Sequence, residues 1–177
     1  MPRRRLRPSE IREAESIFGS ELSYGSIWIH EHAHWPNWIG RLGAALTRRR
    51  PPPAGNSVAL GQSLYFPHPL RTEPSHFEAR IFGDMAWLIH ELTHVWQYRQ
   101  GGFRYAFNAV RKQLRHGAAA YDYGGEAGLN AAASRHASLS DFNPEQQGDI
   151  VRDYYLRRKI GLATAAWEPF VAELRGS

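Results

Sequence analysis

The chain has 177 residues, a formal charge of +5 and no cysteine. That length suits one domain, 1–177, with a buried core. The missing cysteine excludes disulfides, thiolate zinc sites, iron–sulfur clusters and cysteine nucleophiles, so any metal must be held by nitrogen and oxygen.

No apolar run reaches the roughly 18 residues that a membrane helix needs. The start, MPRRRLRPSEIREAES, lacks the apolar stretch of a signal peptide. The expectation is a cytoplasmic protein, or one exported without a classical signal peptide. The basic excess gathers in Arg3–Arg5 with Arg7, and in Arg48–Arg50. Such runs attract phosphates. No aromatic-interleaved RNA motif or zinc-finger spacing accompanies them, so residues 1–8 read as a basic tail and nucleic acid is not the expected partner.

In chain order, residues 9–18 read as a helix capped by Ser9, with Ile11, Ala14, Ile17 and Phe18 on one stripe and Gly19 at its end. Residues 26–30 alternate like a strand, and Trp35-Pro36-Asn37 turns the chain. Residues 47–57, with three successive prolines, read as a Pro/Arg-rich loop. Val58–Leu60 and Ser63–Phe66 flank Gly61-Gln62, which predicts a hairpin with a type II′ turn.

Residues 75–100 carry a helical pattern: Ser75 and Glu78 look like a capping box, and Phe77, Ile81, Met85, Leu88, Leu92 and Val95 follow at helical spacing. Gly101-Gly102 is expected to end that helix, with another over 103–116. Residues 117–143, rich in Ala, Gly, Ser and Asn, read as an irregular connection with helical pieces. Pro144 suits the first turn of a helix, and a last helix is expected over 163–174. The six tryptophans are expected to build core and cleft wall.

Within the long helix stands His90-Glu91-Leu92-Thr93-His94, an H-E-x-x-H motif. Residues four apart share a helical face, so both imidazoles can reach one ion. Glu91 projects beside them, placed to take a proton from a zinc-polarised water rather than to ligate. His30-Glu31-His32-Ala33-His34 also satisfies the pattern, but it lies in strand-like sequence broken by Pro36 and reads as ordinary surface histidines.

A catalytic zinc takes three protein ligands. The candidates for the third are His116, Asp122, Glu126, His136, Asp141, Glu145 and Asp149. Glu145 and Asp149 would share a helical face, one binding Zn²⁺ and the other orienting a ligand histidine. Tyr121, Tyr123 and Tyr154 are candidate oxyanion donors.

HELTHVWQ at 90–97 and EQQGD at 145–149 resemble the gluzincin, thermolysin-type metallopeptidases. That resemblance implies His90, His94 and Glu145 as zinc ligands, Glu91 as general base and Asp149 as the carboxylate supporting a histidine. The chain as a whole resembles the Vgr-related proteins, close to proposed peptidase domains of contractile injection systems. The likeness runs from the initial helix ending in Phe-Gly through Ser63–Pro67, Tyr121-Asp122-Tyr123 and EQQGDIVRDYY.

The resulting expectation is an α+β, minimal zincin-like domain: a small antiparallel sheet packed on the H-E-x-x-H helix, with further C-terminal helices. It would hydrolyse peptide bonds of a peptide or protein substrate, with strand 63–66 as an edge for that substrate. Two alternatives stand beside it. One is a non-catalytic zinc-stabilised module of an injection system, with that system's components as partners. The other is a basic adaptor for nucleic acid or acidic partners.

Overall fold

The computed structural model describes residues 3–35, 57–116 and 122–176, with only the backbone described over 102–116. The turn at Pro36-Asn37, most of the 47–57 loop and Tyr121 lie outside the described residues. Strand β1 is Arg3–Arg5, β2 Trp28–His30, β3 Val58–Leu60 and β4 Ser63–Tyr65. The helices are α1 (Pro8–Phe18), α2 (Pro74–Glu78), α3 (Gly83–His116), α4 (Gly125–Ala133), α5 (Pro144–Ile160) and α6 (Glu168–Ala172).

The four strands form one sheet in the order β1-β2-β4-β3. The hairpin β3–β4 pairs Leu60 with Ser63 around Gly61, whose φ of 60° is the left-handed geometry that two-residue hairpin turns require. β2 and β4 run parallel, with Ile29 opposite Leu64, so the sheet is mixed and not antiparallel as expected. A hairpin's direction is set locally by its turn. Two strands joined by a long connection take whichever direction the packing imposes. The order also corrects the edge assignment: β4 is internal, and among the described residues the outer edge is β3, which packs against α3.

The basic start is not a tail. Arg3–Arg5 pair antiparallel with β2, setting Arg4 opposite Ile29. Arg4 turns inward to the fully buried Glu10 at 2.8 Å and to Glu31 at 2.9 Å. Arg5 lies 3.6 Å over the Trp28 ring on the outer face. The cap of α1 moves accordingly. Arg7 occupies it, its amide donating to Glu10 at 2.7 Å, while the Ser9 hydroxyl donates to the Thr72 carbonyl at 2.9 Å.

The single helix expected over 75–100 is two. α2 starts at Pro74 with Glu73 as its cap, so Ser75 and Glu78 form no capping box. Arg80 adopts a left-handed φ of 58°, which breaks the helix and brings Phe77 and Phe82 to 6.1 Å in a stack. α3 then runs through Gly101-Gly102 without ending, so the glycine pair does not stop the helix and 103–116 is its continuation, not a separate helix as expected. Each glycine costs a helix about 1 kcal/mol against alanine, which a long helix can absorb. The last helix is shorter than expected, Glu168–Ala172 continued by a 3₁₀ turn over Glu173–Arg175.

The core joins α1, the sheet and α3 to α5. Ile17 and Phe18, Ile29 and Leu64, Met85, Leu88, Ile89 and Leu92, and Ile150, Val151 and Tyr155 are all buried within it. The α3 residues recur every three or four positions and fill one face. That face directs α3 onto both sheet and α5. Of the tryptophans among the described residues only Trp167 is fully buried; Trp28, Trp35, Trp87 and Trp96 are half-buried.

Candidate metal centre

α3 and α5 cross where the two motifs meet. His90 and His94 stand one turn apart on α3, and their Nε2 atoms are 3.2 Å apart. α5 begins at Pro144 under a cap in which the Asn143 side chain accepts from the amides of Glu145 and Gln146. That cap fixes the first turn, and Glu145 reaches from it to 3.5 Å from His90 Nε2 and 3.7 Å from His94 Nε2. One turn further, Asp149 lies 3.0 Å from His90 Nδ1.

Ligands bonded at about 2.0–2.1 Å around a tetrahedral zinc stand roughly 3.4 Å apart. The separations of 3.2, 3.5 and 3.7 Å lie near that spacing, the last two made by the two oxygens of the Glu145 carboxylate, Oε2 to His90 and Oε1 to His94. The donors are two imidazole nitrogens and a carboxylate, a set that suits Zn²⁺. His90, Glu91 and His94 also form the metal-donor cluster among the described residues, with their ligand atoms within 4.8 Å of one another.

Both rings are held from behind. His90 Nδ1 faces Asp149, and His94 Nδ1 faces Gln97 Oε1 at 2.8 Å. Asp149 is itself paired with Arg152. Burial opposes a charge on His90, but its hydrogen bonds to Asp149 and Glu145 and the nearby Glu91 charge outweigh that and push it up to about 10. Burial likewise raises Glu145, and the two histidines more than reverse this, leaving its carboxyl below the ordinary value.

Glu91 is buried, 4% exposed. Its Oε1 accepts from the Ser57 hydroxyl at 2.5 Å, while its Oε2 is a buried oxygen with no hydrogen-bond partner among the described residues. A buried, half-satisfied carboxylate is costly unless something approaches it. Gly148 completes the contact between the helices: a β-carbon there would lie 2.8 Å from His90 Nδ1.

The structure thus brings together His90, Glu91, His94, Glu145 and Asp149. It does not bring the other candidates to them. Asp122 accepts from the Gly124 amide, Asp141 from the Ser138 amide, and Glu126 pairs with Arg157. His136 is exposed, and the His116 side chain lies outside the described residues. The Tyr123 hydroxyl donates to Asp153 at 2.6 Å and accepts from Trp167 at 3.1 Å, so both its functions are engaged. Tyr154 packs half-buried against the core. In the second H-E-x-x-H match, at 30–34, His30 stacks on Tyr65 at 4.5 Å, Glu31 accepts from Arg4 and the Leu70 amide, and His32 has a φ of 60° that breaks the strand alternation. Gln97, Gln147 and Ser57 were not anticipated. Only Gln97 carried a signal, three residues after His94 on the same face of α3.

Fold and site define an α+β protein with an H-E-x-x-H helix whose histidines converge with a carboxylate of a second helix. The chain is similar to the type VI secretion system spike protein VgrG2b of Pseudomonas aeruginosa, 30% identical over 163 residues. That match covers 92% of this chain and 14% of the spike protein, so the chain spans about a seventh of its relative's length. This supports a Vgr-related, bacterial link. No family model matches the chain, and no solved structure does.

Proposed function

We propose that this chain is a zinc-dependent metallopeptidase domain associated with a contractile injection system. One observation carries the reading: two Nε2 atoms and a carboxylate converge at 3.2–3.7 Å beside a buried glutamate with one oxygen unpaired among the described residues. His90, His94 and Glu145 would hold Zn²⁺, which when bound supplies Lewis acidity and an acidified water.

The chain's own residues supply the rest. The Oε2 of Glu91 takes the proton of the water that attacks the scissile carbonyl, and then returns it to the leaving amine. Ser57 holds the other oxygen of that carboxylate at 2.5 Å, which leaves Oε2 to take the proton. The outer edge of β3, beside α3, offers backbone groups for an extended peptide to pair with. Similarity to a secretion spike protein supports injection-system components as partners.

The test is metal analysis of purified wild type beside His94→Ala, together with hydrolysis of a broad peptide library. The expected result is one zinc per chain, lost with His94, and hydrolysis that depends on it. A wild-type chain without zinc would sink the reading. Zinc without turnover would support the second reading, a zinc-clamped module of the secretion apparatus, which the similarity to a spike protein also favours.

A further inference from the structure

Behind His94 lies a line of buried amides that neither motif predicts. Gln97 Nε2 donates to the Pro144 carbonyl at 3.0 Å and to Gln147 Oε1 at 2.9 Å. Gln147 Nε2 in turn donates to the Phe142 carbonyl at 2.8 Å. The carbonyl of Pro144 can only accept, so the amide nitrogen of Gln97 must face it, and its Oε1 must face His94. Both glutamines are buried, Gln97 4% and Gln147 1% exposed. An amide flip would set two acceptors against each other at both ends of the line.

This polarity has a consequence for the imidazole. With only an oxygen to meet, His94 Nδ1 must donate, at 2.8 Å, and the neutral ring is left with a bare Nε2. That lone pair points at His90 Nε2 and at the Glu145 carboxylate. We propose that Gln97 is a positioning residue: it fixes the His94 tautomer and ring angle, and draws that instruction from the 142–147 segment that also presents Glu145. The proposal rests on the zinc reading for its purpose, not for its geometry. α5 would then determine both imidazoles, His90 through Asp149 and His94 through Gln97.

The experiment is nitrogen NMR of the histidine rings in the metal-free full chain near pH 8, with zinc affinity by chelator competition. Wild type should carry its His94 proton on Nδ1. Gln97→Met, similar in size but without an oxygen acceptor, should shift the proton toward Nε2 and weaken zinc by about 10–100-fold. Gln97→Glu still accepts from the ring and should keep the proton on Nδ1, whatever its stability. A folded Gln97→Met chain with the wild-type tautomer and affinity would overturn the proposal. So would a Gln97→Glu chain whose proton moves to Nε2, even if the methionine variant fails to fold. A wild type that binds no zinc but shows the predicted tautomers would sink the metallopeptidase reading and leave Gln97's role intact.

Discussion

Gly148 lies against the imidazole of His90: a β-carbon on it would stand 2.7 Å from Cε1 and 3.0 Å from Nε2. The ring cannot swing away freely, because Asp149 holds its Nδ1 at 3.0 Å. Gly148→Ala should therefore push α5 off α3, destabilising the fold by about 1–3 kcal/mol, the usual cost of overpacking. It should weaken zinc binding as well. Gly25→Ala is the control, since nothing among the described residues lies within 4 Å of its would-be β-carbon. Denaturant unfolding of the two variants should separate them; equal stabilities would mean that the helices close with slack.

Glu91→Gln tests the reaction itself. Glutamine is nearly isosteric and still accepts from Ser57, but it cannot take a proton from water. Zinc content and melting temperature should stay near wild type while peptide hydrolysis falls by about 10²–10⁴-fold, the typical worth of a general base. Loss of zinc with activity would make Glu91 a ligand instead.

Asp149→Asn removes the charge behind His90 while keeping the side chain's shape. Arg152 retains Asp153 at 2.8 Å as a partner. Zinc affinity should drop by about 10–100-fold in a chelator competition. An unchanged affinity would reduce Asp149 to an anchor for Arg152.

Arg4→Met tests the N-terminal strand. It would strip from the buried Glu10 a partner at 2.8 Å, though Thr72 and the Arg7 amide remain. Breaking a buried pair from one side costs about 3–5 kcal/mol, and the remaining partners place this case near the lower end. A loss below about 0.5 kcal/mol, the range of ordinary surface changes, would restore the view of residues 3–5 as a solvated tail.

At the start of α3, Asp84 accepts from the Arg71 amide at 2.8 Å and from its guanidinium at 3.1 Å. Burial raises its carboxyl, but the Arg71 contacts prevail and hold it below the ordinary aspartate value. Its stabilisation is therefore complete above the unfolded pKa of about 3.9 and is lost as pH falls through the lower folded value. Asp84→Asn should flatten that acid limb in melting temperature measured from pH 6 to pH 2. An identical limb in both proteins would assign it to other carboxylates.

What the sequence determined by itself was local. The pairing of His90 with His94, with Glu91 beside them, follows from helical spacing. The hairpin at Gly61 follows from turn chemistry, and the start of α5 at Pro144 from its φ. These signals sit within a few residues of what they predict. Tertiary structure decided the rest, because it depends on contacts between segments remote in the chain. The parallel pairing of β2 with β4 and the edge position of β3 emerge only when the hairpin docks. The 3–5 segment became a strand once β2 offered it an edge and Glu10 a buried partner. Glu145 could be told from Asp122, Glu126 and Asp141 by resemblance, but only the crossing of α3 and α5 brings it within 3.7 Å of both rings. Gly148 and Gln147 have no signature along the chain. One serves through the side chain it lacks, and the other through an amide line closed from the opposite helix.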